Sequence, residues 1–454
     1  MVALIANNMC TEVKKKELDL SYKYNFPTKL EIIRYKGSII IISIETANWI
    51  ILNNEKQLLF FNLLKDLPIN KALERFNGLK EDYEQVLIQI EAKHFEDRTV
   101  TLSSVGKKKL HFYLTNGCNM QCPHCYMFAG KKESKELSTN EIKDILHKFK
   151  KYGGEQVTFS GGEITTRADI CEIIEYASEL NLEILLLTNG VLWTEEQISK
   201  ISSLIYSVQV SIDGFSEEEN SKIRGKGNFN KALQTVDSFL KKGVRTEIAI
   251  TPFYSEDLKN NYLKYSLFGK ELLEKYVDYN LSIRFSSDLI DGRDVKLSKE
   301  DKQIYHNIVE NIISDFYGIN AKTFPFISVN KDRQIHDNCS FGELAISAEG
   351  DVYFCSRIPS LHTDINIRKD SFDEIIKISH VAANLSDVNN LQPCNECELK
   401  YICGGDCRIE HFPEFSNLTI TELSQTSIKP RMCSSEIKNH FYDLMILTNE
   451  DLFS

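Results

Sequence analysis

Leu110-His-Phe-Tyr-Leu-Thr-Asn-Gly-Cys118-Asn-Met-Gln-Cys122-Pro-His-Cys125 decides the fold of this 454-residue chain. Residues 110–114 are an apolar run of strand length, and three cysteines follow in the spacing C-x3-C-x2-C. Three thiolates on one loop can hold three irons of a [4Fe–4S] cube and leave the fourth iron open to an outside ligand. Sulfur donors are soft enough for iron–sulfur clusters, and ligation deprotonates them. A three-cysteine zinc site is the alternative that spacing alone leaves open.

Outward from this stretch, apolar runs recur at 156–159, 182–187, 207–212, 246–250 and 281–285, with amphipathic helical patterns between most of them. Ser138-Thr-Asn-Glu141 is a capping box ahead of Ile142 and Ile145, and marks one helix start. Six strands alternating with helices predict a parallel α/β sheet, an incomplete barrel, over residues 106–323. Ligands in such folds sit at the C-terminal strand ends, where the remaining motifs lie. Phe159-Ser-Gly161-Gly162-Glu163 closes the second strand. Its glycines let backbone approach a ligand, and its carboxylate can accept from a cationic amine. Thr188-Asn-Gly190 closes the third as a turn signal, and Ser211-Ile-Asp213-Gly214 closes the fourth, ahead of Arg224.

Residues 1–105 carry β-rich stretches at 30–35, 38–43 and 48–52, then helical ones at 55–67, 71–76 and 81–92. This order predicts a winged-helix-like module, joined to the barrel by a polar, basic linker at 101–109. Residues 1–100 hold 14 Lys+Arg against 14 Asp+Glu, and the whole chain has a net charge of −11. Both argue against a nucleic-acid partner. No apolar run is long enough for a membrane span. The first residues lack the basic start of a signal peptide, so the reducing cytosol is the expected compartment, where cysteine clusters read as metal sites. Seven of the twelve cysteines crowd residues 324–454, a loop-rich region. Too few apolar runs lie between 338 and 407 for a large core, so metal ligation is expected to supply the missing stability. Cys171 reads as a small core residue, and Cys10 has no assigned role.

The triad after the first strand, with Gly161-Gly162-Glu163 after the second, resembles the radical S-adenosylmethionine (SAM) superfamily. The resemblance implies an α/β fold, a partial (β/α)6 TIM-type barrel. It implies that Cys118, Cys122 and Cys125 hold a [4Fe–4S] cluster whose open iron takes SAM by its amino and carboxylate groups. One-electron reduction would then yield methionine and a 5′-deoxyadenosyl radical that abstracts hydrogen from carbon. By the same resemblance Gly161, Gly162 and Glu163 would meet the methionyl amino group, and Ser211 the ribose or carboxylate. Arg224 could pair with that carboxylate.

The later cysteines run Cys339-x10-Gly350-x4-Cys355, then Cys394-x2-Cys397-x5-Cys403-x3-Cys407, then Cys433. A zinc ribbon would explain four of them. The full series resembles the SPASM extension, a C-terminal loop-rich iron–sulfur domain with two auxiliary [4Fe–4S] clusters, which brings the expected total to three. The resemblance assigns Cys339, Cys355 and Cys407 to the first auxiliary cluster, and Cys394, Cys397, Cys403 and Cys433 to the second. The first is one thiolate short, so another group or a substrate thiolate would complete it. Sulfatase-maturing members usually have Asp after the second SPASM cysteine, and this chain has Ser356. The N-terminal module is similar to the leader-recognition element of ribosomal-peptide maturases, where the leader adds as a strand at the sheet edge. That edge is expected at 48–52, with Trp49 as the aromatic contact.

The resemblance thus implies a radical SAM oxidoreductase that matures a precursor peptide bearing a leader. Ring closure is expected through a Cys thioether of sactipeptide or ranthipeptide type, with a ferredoxin or flavodoxin as reductant. The alternatives are a carbon–carbon or carbon–oxygen crosslink, formylglycine formation on a sulfatase, and a zinc-stabilised peptide-binding protein without catalysis.

Overall fold

A computed structural model of the chain describes residues 18–96, 100–102, 108–133, 135–287, 289–318, 333–335, 339–356, 363–405, 407–408 and 433–453. β1 (Leu30–Tyr35), β2 (Ser38–Ser43) and β3 (Asn48–Leu52) form an antiparallel sheet in that order. Lys36 and Gly37 turn β1 into β2 with φ of 47° and 84°, the left-handed pair that a tight hairpin requires. α1 (Glu55–Asp66), α2 (Ile69–Arg75) and α3 (Lys80–Ala92) follow. Strand alternation gives this sheet two apolar faces. Ile39, Ile41, Ile50 and Leu52 pack under the helices with Phe60, Phe61 and Phe95. Ile40, Ile42, Trp49 and Ile51 face the other way, onto Leu399, Tyr442 and Met445.

The second apolar face corrects one expectation. Trp49 is 5% exposed, lies in the cluster with Tyr442 and Met445, and has the Lys93 ammonium 3.1 Å from its ring centroid. The β3 edge is also engaged from within the chain. Gln89 of α3 accepts from the Ile51 N–H and donates to the Ile51 carbonyl. Trp49 is therefore no exposed contact at an open edge. β1 is the sheet's other edge strand.

β4 (Val100–Leu102) falls in the expected linker, and the rest of 103–107 lies outside the described residues. The barrel sheet then begins with β5 (Lys109–Tyr113) and α4 (Thr139–Lys151). It continues with β6 (Gln156–Ser160), α5 (Ile170–Glu179), β7 (Glu183–Thr188), α6 (Glu195–Ile201) and β8 (Ser207–Ser211). α7 (Glu217–Arg224), α8 (Asn228–Lys241), β9 (Arg245–Ile250), α9 (Glu256–Lys275), β10 (Leu281–Phe285) and α10 (Lys299–Tyr317) complete the alternation. β11 (Arg333–Ile335) pairs with β4; β12 (Leu344–Ile346) and β13 (Val352–Tyr353) are the last strands among the described residues, and helices Phe372–Ser386, Lys400–Cys403 and Ser435–Phe453 follow them.

The large sheet runs β10-β9-β8-β7-β6-β5-β12-β13, with β5 to β10 parallel, and no pairing of β10 to β13 closes it among the described residues. Val157, Phe159, Ile184, Leu186, Val208, Val210, Ile248 and Ile250 alternate onto one face and are buried. Fully burying such a side chain contributes about 1.5–3 kcal/mol. The intervening positions carry Leu187, Gln209, Ser211, Ala249 and Arg284, and these line a cavity. The period-two pattern thus builds a helix-covered outside and a partly polar lumen.

The cysteine-rich region does share in a core, contrary to the sequence expectation. β12 extends the barrel sheet beside β5, and Phe341, Phe354, Phe372, Ile375 and Leu391 join the same apolar cluster as the barrel strands. Its short apolar stretches gain a core by packing on the barrel. Arg368 adds a polar tie, with Nε 2.6 Å from a Glu141 carboxylate oxygen and a second bond from Nη2 to the other oxygen. Glu141 and Ser138 also form the capping box read from the sequence.

Arg368 holds the Glu141 carboxyl down at about 2 from its ordinary 4.5. A depressed carboxyl stabilises the fold above its unfolded pKa, and that stability is lost as pH falls through the folded value. The stability gap between wild type and Glu141→Gln should therefore be constant above pH 4.5 and close towards pH 2. Denaturant unfolding at stepped pH checks this, and both groups are exposed enough that the gap should be small. Among the described residues, no helix is long and apolar enough to cross a membrane.

Candidate functional site

The cysteine loop is an excursion from the end of β5, closed at its base by backbone. Cys118 N–H donates to Gly130 O, and Gly130 N–H donates to Asn116 O. Glu136 steadies the approach by accepting from the Thr115 hydroxyl and the Asn116 N–H. The turn after β6 packs directly onto this approach, with Gly162 N–H bonded to Thr115 O and Glu163 N–H to Gly117 O. The glycines there are obligatory for that contact. A Cβ on Gly161, at φ 139°, would stand 2.3 Å from Thr115 O, and one on Gly162 would stand 2.3 Å from Gly117 O.

One cavity of about 330 Å³ is lined by Cys118, Cys122, His124, Cys125, Gly161, Gly162, Ser211, Asp213 and Arg224, together with Gln209 and Arg284. The structure therefore brings together nearly all the residues singled out around the first cysteine motif. Glu163 is the exception. It is 1% exposed, and its oxygens accept from the Thr165 N–H and hydroxyl, the Thr188 hydroxyl and the Asn189 N–H. Three of these bonds fall on Oε1 and one on Oε2; they tie β6 to β7, and Glu163 is not among the residues that line the cavity where the incoming amine was expected.

Arg224 reaches the cavity on a buried support. Its Nε lies 2.5 Å from Asp213 Oδ2, and the side chains are 12% and 1% exposed. The Thr251 N–H holds the other Asp213 oxygen at 3.0 Å. Burial opposes the Arg224 charge, but Asp213 and the nearby Cys122 raise its pKa overall, so the guanidinium stays charged. His124 places Nε2 3.4 Å from the same carboxylate, and burial pulls its pKa down despite Asp213. Burial pushes the Cys118 thiol up to about 11 and raises Cys122, which Arg224 partly counters. Such thiols are protonated at neutral pH, so metal loading must release protons.

A second cavity, of about 230 Å³, is lined by Cys394, Cys397, Cys403 and Cys433 together with Glu398 and Lys438. Burial pushes the Cys397 thiol up to about 11, and Lys438 acts against it. Lys438 and Tyr442 both bond Glu398. Of the remaining three, Cys339 is exposed, while Cys355 and Cys407 are partly buried. Among the described residues, no three His, Cys, Asp or Glu side chains are spaced to hold a single metal ion. A four-iron cube holds its thiolates farther apart than one zinc does. Two soft-donor cavities of this kind fit clusters by donor type.

Residues 112–260 match the family described as the radical SAM superfamily. The chain carries a radical SAM domain. Such a domain implies a [4Fe–4S] cluster and SAM as cofactors. Mycofactocin maturase MftC of Mycolicibacterium smegmatis is 36% identical over 135 residues, 30% of this chain and 34% of that one. The chain thus spans about a third of the length of the first relatives it matches. AdoMet-dependent heme synthase of Methanosarcina barkeri is 28% identical over 320 residues, 65% of this chain and 89% of that one. AlbA of Bacillus subtilis, an antilisterial bacteriocin subtilosin biosynthesis protein, is 24% identical over 306 residues, 65% of this chain and 66% of that one. In the solved structures, native anSMEcpe with bound AdoMet has a TM-score of 0.50 at 16% identity, covering 75% of this chain and 99% of that one. That likeness establishes a shared fold alone, a mixed α/β architecture with a parallel sheet, consistent with a partial barrel.

Sequence reasoning missed Arg284, the Asp213 support of Arg224, and Arg293, whose guanidinium bonds the carbonyls of Cys122 and Ala129 in the cysteine loop. Asp213 stood inside a motif already quoted. The two arginines carry no local signal.

Proposed function

We propose that the chain is a radical SAM maturase of a precursor peptide, with Cys118, Cys122 and Cys125 as ligands of the SAM-binding cluster. The observation that carries this reading is the single cavity shared by those thiols with Gly161, Gly162, Ser211 and Arg224. Bound there, a [4Fe–4S] cluster and SAM supply, on one-electron reduction, a 5′-deoxyadenosyl radical able to take hydrogen from carbon. Arg224, kept charged by Asp213, is suited to a carboxylate, and Ser211 to a hydroxyl or carboxylate. The amine contact would come from backbone carbonyls around Gly161 and Gly162, which line the cavity where Glu163 does not. Cys394, Cys397, Cys403 and Cys433 would hold one auxiliary cluster, and Cys339, Cys355 and Cys407 another with one position left for a substrate thiolate.

The three-part organisation belongs to the same proposal: a peptide-reading module over residues 1–105, a barrel over 106–323 and an auxiliary-cluster region over 324–454. A leader strand would add at the β1 edge, and the bacteriocin-related AlbA supports a peptide substrate. The finer reading is a Cys thioether: the carbon-bound hydrogen would go to the 5′-deoxyadenosyl radical, the thiol hydrogen would leave as a proton, and the electron left over as the C–S bond closes would be taken up by an oxidised auxiliary cluster. A small ferredoxin or flavodoxin is the proposed electron donor.

The test is anaerobic co-expression with short Cys-bearing reading frames that flank the gene, followed by mass spectrometry and alkylation of free thiols. Loss of two hydrogens with a blocked thiol is expected. The same mass loss with a free thiol would point to a carbon–carbon or carbon–oxygen crosslink, and an unmodified peptide in every case would defeat the maturase reading. The breadth of the match to the heme synthase favours a haem precursor as the second reading. Turnover of an iron porphyrin in place of any peptide would establish it.

A further inference from the structure

The loop after β10 returns to the cysteine loop and grips it along its length. Gly292 packs so closely that a Cβ there would stand 2.4 Å from the His124 carbonyl carbon. Arg293 N–H donates to Cys125 O at 3.2 Å, and Asp294 N–H donates to Pro123 O at 2.8 Å. The Arg293 guanidinium then spans the loop, with Nη1 3.4 Å from Cys122 O and Nη2 bonded to Ala129 O. Residues 122 to 129 are thus held by contacts from a segment some 170 positions later in the chain. The fork suits arginine, because a lysine ammonium is a point charge that cannot bridge two carbonyls in fixed geometry.

We propose that Arg293 is a positioning residue of the SAM-binding cluster: it fixes the Cys122–Cys125 turn from the last barrel strand and places a positive charge beside the cluster. The proposal rests on the reading of Cys118, Cys122 and Cys125 as cluster ligands. A cation beside Cys122 stabilises the added electron of a reduced cluster, so its loss should make reduction harder. The charge and the fork are separable. Lysine keeps the first and loses the second, and glutamine loses the charge.

The test uses the full chain, reconstituted anaerobically with iron and sulfide, as wild type, Arg293→Lys, Arg293→Gln and a Cys118/Cys122/Cys125 triple alanine variant. Redox titration follows the electron paramagnetic resonance signal that responds to SAM, and equilibrium binding follows SAM itself. Arg293→Gln should show a more negative midpoint potential. Both arginine variants should bind SAM about tenfold more weakly, the effect of roughly one hydrogen bond to a charged group. Arg293→Lys should retain the potential, and it decides the matter if Arg293→Gln fails to load iron. Wild-type potential and SAM affinity in both variants would overturn the proposal. Full iron content in the triple alanine variant would instead overturn the reading of the cysteines, and the proposal with it.

Discussion

Alanine at Cys118, Cys122 and Cys125 together should abolish production of 5′-deoxyadenosine while leaving a folded, brown protein. The three thiols line the cavity that also holds Ser211 and Arg224, while Cys394, Cys397, Cys403 and Cys433 line another. On the proposed three-cluster reading, removing the first set should take about a third of the bound iron and leave the rest. Activity should fall by more than about a thousandfold, a barrier change on the order of 4 kcal/mol. The matching change at Cys394, Cys397 and Cys403 should remove a different share of the iron and spare SAM cleavage in the absence of peptide. Anaerobic iron and sulfide analysis, with chromatography of the nucleoside product, measures both. A colourless wild-type protein that binds zinc in equal amount would refute the reading.

Asp213→Ala should be the most destabilising change near the site. It removes the partner of Arg224 where both side chains are nearly shut from solvent. A buried guanidinium left unpaired costs about 3–5 kcal/mol, more than the pair contributes when intact. The same change deprives His124 of its carboxylate and the Thr251 N–H of its acceptor. Asp213→Asn keeps an acceptor for Thr251 but not the charge, so it should fall between alanine and wild type. Pairing the change with Arg224→Met should recover most of the loss, because no orphaned charge remains. Denaturant unfolding of the metal-free chain reads this without reference to catalysis. An Asp213→Ala midpoint equal to wild type would show that the pair contributes nothing to the fold.

The two predictions draw on different kinds of information. The spacing of Cys118, Cys122 and Cys125 is local, and so are the period-two runs. The strands at 30–35, 38–43, 48–52 and 281–285 read from the sequence coincide with those in the structure, because side-chain alternation depends only on near neighbours. The Ser138–Glu141 capping box was legible for the same reason, being complete within four residues.

Sequence alone thus determined the strand–helix order, the cysteine loops and the positions of Ser211 and Arg224. Tertiary structure decided what each of those groups could still do. Glu163 looked free to receive an amine until Thr165, Thr188 and Asn189 closed over it. Trp49 looked like a surface aromatic until the Ser435–Phe453 helix covered it. Arg293 looked like any loop arginine, and the fold brought it to Cys122. A side chain's hydrogen-bonding capacity and exposure are set by whatever packs against it. Thr165 apart, which neighbours Glu163, the partners in these cases arrive from distant parts of the chain, beyond the reach of any local pattern.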